Sequence, residues 1–187
     1  MYYDGHTRMD GVRVHKGGMK MKQILIVVDM QNDFVDGALG TKEAVSIVDR
    51  AAQKIRRFQG DVFVTYDTHS DDYLQTDEGK RLPVPHCLRG TDGWQLTPCV
   101  ARALENRPWT RVEKSTFGAV ALPDLIRARV SDEPFSIELI GLCTDICVVS
   151  NALLLKAFFP HATLSVDASC CAGVTPQTHR EIGRAHV

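Results

Sequence analysis

Long apolar runs are the first thing this sequence lacks. Its longest strongly apolar stretch, Ile24 to Val28, falls far short of the roughly 20 residues that a helix needs to cross a bilayer, so no membrane partner is expected. Charge of one sign is missing too. The 22 Lys+Arg and 23 Asp+Glu leave a net charge of −1, and no clustered basic stripe follows the chain, which excludes nucleic acid as the expected partner. The first 22 residues mix Asp4 and Asp10 with Arg8, Arg13, Lys16, Lys20 and Lys22, without an apolar core of signal-peptide length, so a cytoplasmic location is expected. Six cysteines in a reducing compartment then argue against a disulfide framework. With 44% hydrophobic and 24% charged residues, whole-chain disorder, collagen and coiled coil are excluded, and 187 residues fit one domain with a sizeable core.

What is present alternates strand and helix. Ile24–Val28 reads as a central parallel strand buried on both faces and ending in Asp29. From Thr41 to Phe58 the apolar residues recur at helical spacing, with Gly60 as a stop signal. Asp61–Tyr66 is a second strand, followed by a long aperiodic loop over 67–94 of the kind that is usually functional. A helix from Pro98, a strand at Trp109–Val112, a helix after Pro123, a strand at Ser136–Leu142, a helix over Asp145–Phe158 and a strand at Ala162–Val166 continue the pattern. Repeated βα units predict an α/β fold with a doubly wound parallel sheet in three α/β/α layers.

The domain is expected to span residues 21–181. Residues 1–20 carry Met1, Met9 and Met19 without a clear pattern and are read as an N-terminal extension. Residues 182–187 (Ile182-Gly183-Arg184-Ala185-His186-Val187) match the translation of a common sequencing adapter and are read as a foreign tail that cuts short the helix opening at Pro176.

In an open parallel sheet, ligands bind beyond the carboxyl ends of the strands. Asp29, Asp67 with His69, Lys114 and Cys147 follow successive strands and are therefore expected on one edge. Cys147 sits in the strand-to-helix turn Gly141-Leu142-Cys143-Thr144-Asp145-Ile146-Cys147, where a helix start favours thiolate and backbone N–H groups of Cys143 and Cys147 can face an oxyanion. The plain alternative is a small buried cysteine. Asp29 could equally be a turn residue, and Lys114 a solvated lysine. A carboxylate beside a thiol can take its proton and return it to a leaving amine. Asp67 and His69 share a face if strand geometry persists, and with His86 and Glu78 they offer donors suited to a borderline divalent cation. Solvated loop histidines are the competing reading, since no Cys-x-x-Cys or His-Glu-x-x-His spacing occurs.

Asp29-Met-Gln-Asn-Asp-Phe34, Lys114-Ser-Thr-Phe-Gly-Ala119 and Gly141-x-Cys-Thr-Asp-x-Cys147 together resemble the isochorismatase-like cysteine hydrolases, over roughly Lys22 to Thr178. Asp67-Thr68-His69, Glu78 and Pro85-His86 resemble the metal-binding pattern of the nicotinamidase branch. The resemblance implies a triad of Asp29, Lys114 and Cys147, an oxyanion hole from the Cys143 and Cys147 N–H groups, and one divalent metal on Asp67, His69, Glu78 and His86. Zinc is the expected ion, with manganese or iron as alternatives. Phe34 and Phe117 match positions that flank the substrate ring in the family, and both could equally be core.

The implied activity is hydrolysis of nicotinamide or pyrazinamide to the acid and ammonia through a thioester. Another small amide, a carbamoyl or ureido compound, or a vinyl ether is the alternative substrate, and a non-catalytic binding protein is the alternative class. The implied partner is a small molecule, and self-association is compatible with the reading. Two departures from the family stand out. Pro83 lies where relatives often place an aromatic wall, which predicts looser ring specificity. The C-terminus is expected to be truncated, so that the sheet lacks its last strand, Ala162–Val166 keeps an unpaired edge, and stability or assembly suffers.

Overall fold

The structure is a computed structural model that describes residues 21–130 and 134–185; the expected extension 1–20 and residues 186–187 of the expected tail lie outside the described residues. The elements are β1 (Lys22–Val28), α1 (Asn32–Val35), α2 (Lys42–Arg57), β2 (Asp61–Asp67), α3 (Asp77–Arg81), α4 (Pro98–Leu104), β3 (Thr110–Lys114), α5 (Leu122–Val130), β4 (Phe135–Leu142), α6 (Val149–Phe158), β5 (Thr163–Ala172) and α7 (Pro176–Ala185). One turn of 3-10 helix covers Tyr73–Gln75, and a π-helical turn covers Thr144–Val148.

All strand pairings are parallel, in the order β3-β2-β1-β4-β5. Residues Ile24 to Val28 are buried throughout, as a central strand covered on both faces requires. The chain runs outward from β1 to β2 and β3, then returns to β4 on the other side of β1. With crossovers of the usual right-handed sense, α2 falls on one face and α5 and α6 on the other; α2 packs against α4 and α5 against α6, giving the expected three layers. Helix α2 owes its start to Thr41, whose hydroxyl accepts the Ala44 N–H at 3.0 Å, and its seat to Ala44, Ile47, Ala51, Ala52 and Ile55 on one buried face. It packs against α4 and β5. The strand order reverses between β1 and β4, and the crevice at such a switch point is where an open sheet receives ligands.

The expectation that the sheet lacks its last strand is overturned. Strand β5 is ten residues long, six residues beyond the predicted end at Val166, and pairs with β4 from Ser136↔Thr163 to Leu142↔Ala172. The truncated fold is therefore corrected, although β5 is an outer strand of the described sheet. The expected truncation rested on the C-terminal residues 182–187, whereas the early strand end predicted at Val166 reflects the composition of Asp167-Ala168-Ser169-Cys170-Cys171-Ala172, which lacks the β-branched and aromatic residues that mark strands. Its polar groups are satisfied by α2 instead: Lys54 Nζ lies 2.8 Å from Asp167 Oδ2, and Arg50 Nε donates to the Ser169 carbonyl at 2.7 Å. Helix α7 runs from Pro176 to Ala185.

Candidate active site

Beyond the carboxyl ends of β1 to β4, the chain converges on a cavity of about 840 Å³. Asp29 follows β1 with φ of 47°, a left-handed conformation that Asp tolerates better than most residues and that often marks a functional position. It is fully buried, and Thr65 on β2 holds it twice: the hydroxyl donates to Asp29 Oδ1 at 2.6 Å and accepts the Asp29 N–H at 3.2 Å. Lys114, the last residue of β3, reaches across β2. Its ammonium lies 2.8 Å from Asp29 Oδ2, 3.1 Å from Asp67 Oδ1 and 3.5 Å from Cys147 Sγ.

Cys147 sits in the π turn that follows β4. Cys143 opens this turn in an extended conformation, with its carbonyl accepting both the Ile146 and Val148 N–H groups, and the Leu142–Cys143 peptide is cis. Both cysteines line the cavity. Glycine is required at Gly141, where φ is 117° and a Cβ would lie 2.1 Å from the Val28 carbonyl oxygen. This close approach of β4 to β1 brings the cysteine turn within reach of Asp29.

Burial sets the proton affinities here, and neighbouring charges modify them. Burial raises the Asp29 carboxyl above its usual range; the Lys114 ammonium opposes the shift and the Asp67 charge adds to it. Burial alone would lower the Lys114 ammonium, but Asp29, Cys147 and Asp67 more than compensate, so it is raised and stays protonated. Burial pushes the Cys147 thiol well up, Asp29 and Asp67 push further, and Lys114 only partly offsets them. Burial thus favours the neutral thiol at Cys147, so its sulfur would need a base to act as a nucleophile. Cys143 is pushed up to about 12, by burial and then by Asp145 and Asp29.

Asp67, His69 and His86 form a second cluster next to the first, all three buried, with one donor atom from each lying within 4.8 Å of the others. His69 Nε2 lies 3.0 Å and His86 Nε2 3.5 Å from the same oxygen, Asp67 Oδ2. The His86 Nδ1–H donates to the Val84 carbonyl at 2.8 Å, which orients the ring so that Nε2 faces that carboxylate. Two lone pairs facing each other in a buried site need a proton or a cation between them, so the donor set fits a metal ion. Burial raises the Asp67 carboxyl, but hydrogen bonds to both histidines and the charge of Lys114 outweigh this and hold it well below the usual range. Glu78 in α3, expected as a fourth ligand, approaches His86 alone, with its Oε1 3.9 Å from Nε2.

Phe34 is half-buried and meets His86 edge-on at 5.4 Å between ring centroids, while Phe117 is 49% exposed; both line the cavity.

Several residues that hold the site together were not anticipated. The buried Gln31 amide donates to the Asp67 and Trp94 carbonyls at 2.8 and 2.9 Å and accepts the Asp67 N–H at 2.8 Å, fastening the end of β1 to the end of β2. Asp33 anchors the residue after His86 by accepting the Cys87 N–H at 2.7 Å. Asn151 in α6 donates to the Cys147 carbonyl at 2.8 Å and the Phe117 carbonyl at 3.2 Å, and accepts the Ala119 N–H at 2.9 Å. A signal for Asn151 was available: an amide inside a predicted helix, one turn after Cys147 and so on its face. Tyr73 packs edge-on against both histidines, and its hydroxyl donates to the Leu82 carbonyl at 2.9 Å.

A family model described as the isochorismatase domain matches residues 23–182. The chain belongs to the isochorismatase family. An isochorismatase family protein of Bacillus subtilis (strain 168), PncA, is 32% identical over 146 residues, covering 71% of this chain and 78% of its own length. Among solved structures, the Bacillus subtilis nicotinamidase/pyrazinamidase PncA superposes with a TM-score of 0.73 at 27% identity, covering 87% of this chain and 92% of that one. The N-carbamoylsarcosine amidase of Thermoplasma acidophilum superposes with a TM-score of 0.66 at 27% identity, over 88% and 92% of the two chains.

Proposed function

We propose that this isochorismatase-family chain is a hydrolase of small carboxamides, with nicotinamide as the substrate and pyrazinamide as an analogue, releasing the acid and ammonia. The observation that carries the reading is the placement of Lys114 Nζ within 3.5 Å of Asp29, Asp67 and Cys147 at once, which joins a nucleophile and its base to a metal-ligand cluster. Similarity to a nicotinamidase/pyrazinamidase supports the substrate class.

In this mechanism the Asp29 carboxylate takes the Cys147 Sγ proton as sulfur bonds to the amide carbon. Lys114 stays charged and balances both anions. The tetrahedral oxyanion is stabilised by the Cys143 and Cys147 N–H groups. The C–N bond breaks, ammonia leaves with the proton from Asp29, and a thioester remains on Cys147. Asp29 then takes a proton from water as it attacks the thioester; the acid departs and the thiol is re-formed. Asp67, His69 and His86, with Glu78 nearby, would hold one divalent ion; two imidazoles and a carboxylate suit zinc, with manganese or iron as alternatives, and when bound it would supply a Lewis acid for the ring nitrogen. Phe34 and Phe117 flank the ring.

Similarity to an N-carbamoylsarcosine amidase supports a second reading, a carbamoyl or ureido substrate in the same site. The histidine cluster favours the first. Ammonia release from nicotinamide by purified, zinc-loaded protein tests the reading, and both chelation and Cys147→Ala are expected to abolish it. Release that survives Cys147→Ala would refute the cysteine mechanism, and release from ureido compounds alone would favour the second.

A further inference from the structure

The cavity is divided chemically. Its inner end carries Asp67, His69, His86 and Cys147, all buried, whereas its outer end presents Leu82, Phe117 and Val174, which are 38%, 49% and 50% exposed. These three residues come from separate segments: the end of α3, the loop after β3 and the loop after β5. All three are exposed, and they line the same cavity as Cys147. A volume of about 840 Å³ lies in the upper part of the range, roughly 300–1,000 Å³, that holds drug-sized ligands. A single-ring amide seated at the inner end, with its edge at Phe117, leaves Leu82 and Val174 wet.

We infer that the site takes aromatic carboxamides bearing a second apolar group, which lies against Leu82, Phe117 and Val174 while the amide meets Cys147. This rests on the amidase reading above and extends it to substrate class. Covering the rim removes Leu82, Val174 and the outer part of Phe117 from water; burying a phenyl-sized group there at its full transfer free energy gives at least about tenfold tighter binding.

The test is calorimetric titration of zinc-loaded Cys147→Ala protein with nicotinamide and with 5-phenylpyridine-3-carboxamide. The phenyl amide is expected to bind at least about tenfold more tightly, with a more negative heat-capacity change. In a Leu82→Ser, Val174→Ser background, the affinity ratio of the two amides is expected to fall below about threefold. Both positions are exposed, so folding survives the changes. Equal, weaker or absent binding of the phenyl amide overturns the inference, as does a ratio that the double variant leaves intact. Ammonia release from both amides by the unaltered protein is followed in parallel. Its failure would sink the amidase reading alone, because the affinity ratio requires no turnover.

Discussion

Asn151→Ala removes the amide that ties the cysteine turn to the loop after Lys114. Asn151 is fully buried, and its side chain forms three hydrogen bonds, to Cys147, Phe117 and Ala119. The cost differs among them. The Ala119 N–H is buried and loses its acceptor, and an orphaned buried donor costs roughly 1–3 kcal/mol. The Cys147 and Phe117 carbonyls lose one donor each, at about 0.5–1.5 kcal/mol apiece, with the Phe117 bond at the low end because that residue is half exposed. The sum is about 2–5 kcal/mol. At roughly 2–4 °C per kcal/mol for a domain of this size, the melting temperature should fall by about 4–20 °C. A loosened Cys147 relative to Lys114 should also cut kcat by about tenfold to a hundredfold, with KM changing less. Asn151→Asp separates the two halves of the bridge, since a carboxylate still accepts from Ala119 but donates to neither carbonyl. Thermal melts and ammonia-release kinetics on the same preparations decide the matter. An alanine variant that melts within 2 °C of the parent, or keeps its kcat, would refute the view that this amide positions the nucleophile.

Three further outcomes are expected. Gly141→Ala places a methyl 2.1 Å from the Val28 carbonyl oxygen at a φ of 117°, so the variant should be destabilised by more than about 4 kcal/mol, read from denaturant melts. The Asp167 carboxyl is raised by burial but more strongly lowered by Lys54 and Ser169, to about 2. Because its folded pKa lies below the unfolded value of about 3.9, its stabilisation is complete above that value and is lost as pH falls toward 2; Asp167→Asn should flatten the stability profile over that window in urea melts. His69→Ala and His86→Ala should each weaken zinc binding by more than about tenfold in competition titrations, whereas Glu78→Gln should fall below that, since Glu78 approaches His86 alone.

Much of the site was legible because parallel βα architecture makes chain position informative. Once Ile24–Val28 is recognised as a buried strand, the polar residue after it must lie at the sheet edge, and the same logic places Asp67, Lys114 and Cys147 on that edge. The supporting groups were less legible. Gln31, Asn151 and Thr65 act through hydrogen bonds to backbone and side-chain groups 4 to 63 residues away, and nothing in their residue type announces those partners. Phe34 and Phe117 could be placed at the cavity only by resemblance, because an aromatic residue fits a core as well as a wall.

The amino-acid sequence by itself determined the α/β alternation, the central strand and the candidate nucleophile, base and cation, since these follow from hydrophobic runs and from which residue ends each one. Tertiary structure decided the rest. It made a strand of the small and polar 167–172, because pairing with β4 and the reach of Lys54 and Arg50 supply what propensity does not. It drew Asp67, His69 and His86 around one oxygen while leaving Glu78 at the edge, because burial and the His86–Val84 hydrogen bond fix the rings, and loop packing, unlike strand order, has no period that can be read from the chain.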